Sequence, residues 1–305
     1  RTSGGTAVAL NNKCCHRHAP LSLGRREGDC IRCMYHGLKY DHHGQCVEIP
    51  GQAAIPPGMR VRSYPVAQSK RWVWIWMGDP DKADAALIPD TFSLQHPDWR
   101  MKPGYMRWQA NHLLISDNLL DFSHLSYVHG GTLGGSVGIA QTRPTLERLE
   151  RGVRVRREIS GIPPAPYHQR LAKFSGPVDR WFVYDYLIPG VLLMESGVRP
   201  ADPGLRGSEK TLNFHSCQAI TPETATATHY FFASATESWL EEGATEHMYQ
   251  AVVSAFDEDR RMIEAQQQLI DTTAAAQMRP LLSDAALGQF RFLMKRALEA
   301  ENPQA

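Results

Sequence analysis

Two short segments rich in cysteine and histidine constrain this chain more than anything else in it. The first reads Cys14-Cys15-His16-Arg17-His18 and the second Cys33-Met34-Tyr35-His36-Gly37. Written as ligands they are C-x-H, 16 intervening residues, and C-x-x-H. Two thiolates and two imidazoles on two loops can hold a soft or borderline metal centre. A Cys₂His₂ zinc site is one solution, but zinc fingers usually group the cysteines ahead of the histidines. Here each loop brings one of each. That order suits a [2Fe–2S] cluster with two cysteines on one iron and two histidines on the other, so Cys14, His16, Cys33 and His36 are the candidate ligands. The remaining cysteines, Cys15, Cys30, Cys46 and Cys217, match no ligand position. Cys30 forms a C-x-x-C with Cys33, but with Cys33 committed it reads as a small apolar residue. His18 shapes the first loop, and His42 and His43 read as a solvated turn.

The surroundings of these loops are Gly-rich and full of turns over residues 1–80, with Tyr64-Pro-Val and Arg71–Met77 as the best strands and Gly78-Asp79-Pro80 as a closing turn. The chain opens on Arg1 inside what reads as a strand, so the reading expects N-terminal strands of this region to be missing. Residues 81–103 read as a connector and 104–305 as a second region. There, 145–159, 181–194 and 211–235 alternate like antiparallel strands, with Thr221-Pro222-Glu223-Thr224 as a hairpin turn. Helices are predicted at 244–273 and 284–300, the second capped by Ser283. Strands followed by helices make an α+β chain and not a βαβ one. The formal net charge of +1 from 33 basic and 32 acidic residues gives no reason to expect nucleic acid or an anionic membrane as partner. No apolar run approaches the ~20 residues of a membrane span. Six cysteines are too few for a disulfide scaffold, which points to a reducing cytoplasm.

A second constellation lies in Asp117–His129, predicted helical with a polar interruption. Asp121 and His124 are i and i+3 and share a face. His129 follows five residues later, just before Gly130-Gly131. Two histidines and a carboxylate with open positions form the facial triad of Fe(II) oxygenases; the alternative is a polar helix end with unrelated histidines.

Cys-Cys-His-Arg-His-Ala-Pro-Leu-Ser (14–22), Cys-Met-Tyr-His-Gly-Leu-Lys-Tyr (33–40) and D-x-x-H-x₄-H about 80 residues further on resemble one family. It is the oxygenase (α) component of the Rieske non-haem iron oxygenases, the vanillate O-demethylase branch in particular, and the likeness covers nearly the whole chain. Respiratory Rieske proteins carry a further cysteine in each loop, where this chain has Ala19 and Tyr35, and a cluster-bonding serine where it has Leu38. Both departures imply an oxygenase-type cluster of low potential.

The resemblance implies an N-terminal all-β Rieske domain and a C-terminal helix-grip catalytic domain, an antiparallel sheet around a long helix. It implies that Asp121 is no ligand but bridges a cluster histidine of one subunit to an iron histidine of the next, in a homotrimer. Asn118 then lies near the iron. The third iron ligand comes from a late helix, with Asp257, Glu258 and Asp259 as candidates. The apolar stripe Met248, Val252, Phe256, Ile263 and Ile270 decides among them: Asp259 falls inside it and Asp257 opposite. A carboxylate on a buried face needs a partner or a metal, which selects Asp259.

The implied activity is monooxygenation of a small aromatic: O-demethylation of a methoxybenzoate such as vanillate, with O₂, release of formaldehyde, and NAD(P)H electrons from a flavin/iron–sulfur reductase, with or without a ferredoxin. Alternatives are a related oxygenase acting on a sulfonated, chlorinated or N-methyl aromatic or heterocycle, and a purely electron-transferring Rieske protein. Arg180, His215 and His229 could pair with a substrate carboxylate, but read as surface or packing residues.

Overall fold

The computed structural model describes residues 1–134, 136–207, 210–273 and 278–301. The chain divides into two compact units, Arg1–Phe92 and Ser93–Ala305. The first is built from eight short strands. A four-stranded antiparallel sheet joins β2 (Arg25–Glu27), β3 (Cys30–Arg32), β4 (Lys39–Tyr40) and β5 (Cys46–Glu48) in that order. β1 (Ala9–Leu10) pairs with β6 (Ser63–Tyr64), and β7 (Val66–Ser69) with β8 (Trp72–Ile75). Its small core is Cys14, Leu21, Cys33, Leu38, Tyr40, Cys46 and Val61. The two loop cysteines are thus part of the packing, and their loops cannot move without disturbing it.

The second unit is built on a seven-stranded antiparallel sheet whose first strand in the chain, Trp99–Trp108, lies at one edge beside the last, Ala227–Glu237, with the others in chain order. Its strands are β9 (Trp99–Trp108), β10 (Thr145–Leu149), β11 (Gly152–Ile162), β12 (Val178–Leu187), β13 (Val191–Pro200), β14 (Leu212–Thr224) and β15 (Ala227–Glu237). Burial alternates without a break along β12, where Val178, Arg180, Phe182, Tyr184 and Tyr186 all point inward. Among the described residues, five α-helices complete the unit: α1 (His112–Leu120), α2 (Gly138–Gln141), α3 (Pro166–Ala172), α4 (Ala244–Thr272) and α5 (Ala285–Glu301). α4 lies against β9 and β15, α1 against β14, and α5 against β11. Asn111 caps α1 by accepting the Leu113 N–H at 2.9 Å. The Tyr184 hydroxyl donates to the Leu120 carbonyl at 3.0 Å and so ties the C-terminal end of α1 to the sheet. Among the described residues no helix is long and apolar enough to cross a membrane.

Four local expectations need correction. The hairpin turn falls at Ala225-Thr226, and Thr221–Thr224 belongs to β14. Pro222 is tolerated there because pairing with β13 ends at Ala219, leaving β14 one free edge. Ser283 is not a cap but lies within a 3₁₀ turn, Leu282–Asp284; the Asp284 carboxylate instead accepts the Leu281 N–H at 2.7 Å. Ile270 is exposed, and the buried stripe of α4 ends at Gln267, whose side-chain oxygen accepts the Asn111 N–H. Finally, β9 begins at Trp99, inside the stretch expected to connect the two regions, because Pro103 and Gly104 mask its alternation.

Candidate metal centres

The two cysteine–histidine loops of the first unit are near copies of each other. Cys14 N–H donates to Ala19 O at 2.9 Å and Cys33 N–H to Leu38 O at 2.8 Å, each closing a loop over five residues. His18 N–H returns to Cys14 O and Gly37 N–H to Cys33 O, both at 2.9 Å. His18 and Gly37 occupy matching positions and both have positive φ, 57° and 79°. His18 therefore shapes the first loop through its backbone. Arg32 braces the second loop by donating to Gly37 O at 2.7 Å while pairing with Glu27 and Glu48.

Cys14 and Cys33 are buried, whereas His16 and His36 are exposed with their ring centroids 4.6 Å apart. Inward sulfur and outward nitrogen fit a cluster with one thiolate-bound iron and one imidazole-bound iron near the surface. The Tyr40 hydroxyl lies 3.0 Å from Cys14 Sγ and 3.2 Å from Cys15 Sγ. Donated to a ligating sulfur, that hydrogen bond favours the reduced cluster, which carries more negative charge. Tyr40→Phe is expected to lower the reduction potential by on the order of 40 mV, since ~1 kcal/mol corresponds to that shift for one electron; spectroelectrochemistry reads it. An unchanged potential would show the hydroxyl pointing to Cys15 alone.

In the second unit α1 stops at Leu120. Asp121 turns extended and caps a 3₁₀ turn, Phe122–Ser126, its carboxylate accepting from Ser123 N–H at 2.9 Å and Ser123 Oγ–H at 2.6 Å. That turn carries His124, and His129 follows. Gly134 closes the loop: its N–H donates to His129 O at 2.9 Å, and a Cβ there would stand 1.8 Å from Leu125 O. From α4, Asp259 reaches both rings. Its Oδ1 is 3.1 Å from His129 Nε2 and 3.5 Å from His124 Nε2, and all three donor atoms lie within 4.8 Å of one another. One face of an octahedron with bonds of about 2.1 Å separates its donors by about 3 Å, so the set fits one iron and leaves other positions open.

Neighbouring groups aim the donors. His124 Nδ1–H donates to Asp121 O at 2.5 Å and His129 Nδ1–H to Glu258 Oε2 at 2.7 Å, leaving both Nε2 lone pairs for a metal. Asn118 Nδ2 donates to Asp259 Oδ1 at 3.0 Å. Burial pulls the His124 pKa below its ordinary value, favouring the neutral, ligating form. Thr132 Oγ–H donates to Glu258 Oε2 at 2.9 Å, holding that carboxylate in place. Asp257 instead pairs with Arg260 and Arg261 at the surface. Glu258→Gln is expected to weaken iron binding at this site ~10–100-fold, the usual effect of removing such a partner. Iron titration of the apo-site, with the cluster intact, measures it.

The triad opens into a cavity walled by the inner face of the sheet, α1 and α4, with Leu119, Phe122, Met194, Phe214, Met248 and Phe256 among its apolar lining. Arg180 and His215 also line it, correcting the reading of both as surface or packing residues. His229 lies outside this wall, hydrogen-bonded to the Tyr105 hydroxyl at 2.9 Å. Ser234, also in the wall, has a buried hydroxyl with no hydrogen-bond partner among the described residues. A signal for Arg180 was present in the sequence: it falls in phase with Val178, Phe182 and Tyr184 on the inward side of β12.

Residues 1–65 match the family model of the Rieske [2Fe–2S] domain, and residues 108–300 that of the vanillate O-demethylase oxygenase C-terminal domain. The chain is 46% identical to the iron–sulfur subunit of the toluene-4-sulfonate monooxygenase system of Comamonas testosteroni, over 99% of this chain and 89% of that protein. It is 32% identical to the vanillate O-demethylase oxygenase subunit of a Pseudomonas species, over 99% and 93%. The crystal structure of dicamba monooxygenase with non-heme iron and dicamba superposes with a TM-score of 0.78 at 26% identity, covering 100% of this chain and 90% of that one.

Proposed function

Because the chain belongs to the Rieske non-haem iron oxygenases, we propose that it inserts one atom of O₂ into a methyl or methoxy carbon carried by a small arene. It is a monooxygenase component whose cofactors are a Rieske [2Fe–2S] cluster and a mononuclear non-haem iron. The observation that carries the proposal is the His124, His129 and Asp259 donor set in the wall of a largely apolar cavity. The cluster supplies electrons one at a time and the iron supplies reductive O₂ activation.

The chain's own residues do the rest. His124, His129 and Asp259 would hold the iron, and the cavity they line would receive the substrate. Asp121 links the cluster histidine His36 of a neighbouring subunit to His124, in a homotrimer. Asn118 keeps Asp259 oriented, and the apolar walls exclude water. A flavin/iron–sulfur reductase, alone or through a ferredoxin, delivers NAD(P)H electrons in the cytoplasm.

On a methoxybenzoate, oxygen enters a methoxy C–H bond and the resulting hemiacetal separates into a phenol and formaldehyde. The second oxygen atom leaves as water with two electrons and two protons. The 46% identity to a toluene-4-sulfonate monooxygenase subunit, against 32% to the vanillate subunit, favours a second reading in which an arene methyl group becomes a benzylic alcohol.

The test supplies the holoprotein with NADH, a compatible reductase and Fe(II), and offers vanillate, other methoxybenzoates and toluene-4-sulfonate. Formaldehyde in step with NADH use establishes O-demethylation. A product heavier by one oxygen, without formaldehyde, establishes methyl hydroxylation. Absence of substrate-dependent O₂ uptake from a metal-replete protein across a wide arene panel would overturn both.

A further inference from the structure

Two arginines are buried on neighbouring strands of the catalytic sheet, and the protein treats them differently. Arg157 on β11 is 3% exposed; it donates to Ile139 O at 2.8 Å and lies 3.7 Å from Asp121 Oδ1. Its charge is met by a protein carboxylate. Arg180 on β12 is equally buried, at 3%. Its Nη1 donates to Gly134 O at 3.0 Å and its Nη2 to the Tyr167 hydroxyl at 3.2 Å. Among the described residues no carboxylate lies within ion-pair distance of it.

A guanidinium stays charged in a protein, and burying it unpaired is costly. Its companions on the inner face of β12 are Val178, Phe182, Tyr184 and Tyr186, so packing alone calls for an apolar or aromatic side chain here. The carbonyl and the phenol occupy two of its five N–H donors, and the Phe182 ring lies 4.5 Å beneath it. These contacts fix the direction of the guanidinium and leave its charge uncompensated. Arg180 lines the same cavity as the triad, whose Asp259 supplies the only carboxylate among the described lining residues. Asp259 is engaged by His124, His129 and Asn118. Gly134 spans the two ends, accepting from Arg180 and donating to His129 O, so cation and metal site are held in fixed relation.

We propose that Arg180 is the anchor for an anionic substituent of the substrate, a sulfonate or carboxylate on the arene. Two of its oxygens take the free guanidinium donors, and the reacting carbon is thereby held toward the iron. This rests on reading the cavity as the oxygenase site and narrows its substrate to arene anions.

The test uses the full-length holoprotein and matched pairs. Toluene-4-sulfonate and 4-methylbenzoate are the anions; 4-methylphenyl methyl sulfone and methyl 4-methylbenzoate are their uncharged counterparts. Anaerobic calorimetry gives Kd without turnover, and reductase-driven assays give kcat/KM. The native chain is expected to bind at least one anion about 100-fold more tightly than its uncharged counterpart, and the better anion identifies the natural class. Arg180→Gln is expected to erase about 100-fold of that preference in both Kd and KM, and Arg180→Lys to keep part of it.

Equal affinity for charged and uncharged arenes in the native chain would overturn the anchor, as would a preference surviving in Arg180→Gln or failure to bind either anion. The native comparison decides even where a variant does not fold. Oxygenation of uncharged arenes with no preference for anions would remove the anchor and leave the oxygenase reading. An anion preference in Kd without any substrate-dependent O₂ uptake would keep the anchor and remove that reading.

Discussion

Asp259→Ala is expected to strip the mononuclear iron from a protein that stays brown. Iron content falls by one equivalent per chain, acid-labile sulfide is unchanged, and turnover drops by ~10³-fold or more because metal chemistry worth several kcal/mol is withdrawn. The reason is geometric. Asp259 is buried on α4 and supplies the one carboxylate oxygen, among the described residues, within reach of both His124 and His129. Its removal also leaves the Asn118 amide without its acceptor, a cost of ~1–3 kcal/mol in stability. Asp259→Asn retains that acceptor oxygen and serves as the folding control. Asp257→Ala, which removes the ion pairs to Arg260 and Arg261, should change neither iron content nor turnover. Loss of iron from the Asp257 variant, with iron retained in Asp259→Ala, would reverse the ligand assignment.

Asp121→Asn is expected to leave both metal centres loaded and to cut coupled turnover ~10²-fold or more, because the proposed path from cluster to iron runs through this carboxylate. The structure makes the substitution a clean one. Asn caps as well as Asp, so the acceptor for Ser123 N–H and the 3₁₀ turn carrying His124 are kept. What changes is the negative charge 3.7 Å from buried Arg157, so a modest fall in stability, ~1–2 kcal/mol, accompanies the loss. Rapid-reaction absorbance of the reduced cluster separates the two effects. Slow reoxidation by O₂ and substrate in a folded, iron-replete variant marks the relay, whereas normal reoxidation at lower Tm would leave Asp121 with only its capping and pairing roles.

How much of this was legible beforehand follows from the range of the signal. Cys14, His16, Cys33 and His36 lie on two loops whose shape is set by hydrogen bonds spanning four or five residues, so spacing alone exposed them. Asp259 was legible for a related reason. Helical periodicity places it between Phe256 and Ile263 on the buried face of α4, where a lone carboxylate demands a metal or a partner. The turn chemistry of Thr221-Pro222-Glu223-Thr224 points too early in the chain for the hairpin at Ala225-Thr226, and only the end of β13 pairing at Ala219 shows why Pro222 can stay in a strand.

Covalent spacing and short-range periodicity carry the two candidate metal-ligating motifs, the α+β order of elements and the buried phase of the long helix, so all three are legible in the amino acids themselves. Which charges meet is settled by packing across the fold. Packing sets Glu258 against His129, Asn118 against Asp259 and Asp121 near Arg157, and leaves Arg180 lining the cavity with no carboxylate partner among the described residues. Those pairings join residues as many as 141 positions apart, and strand register and helix packing fix them, which no local pattern encodes.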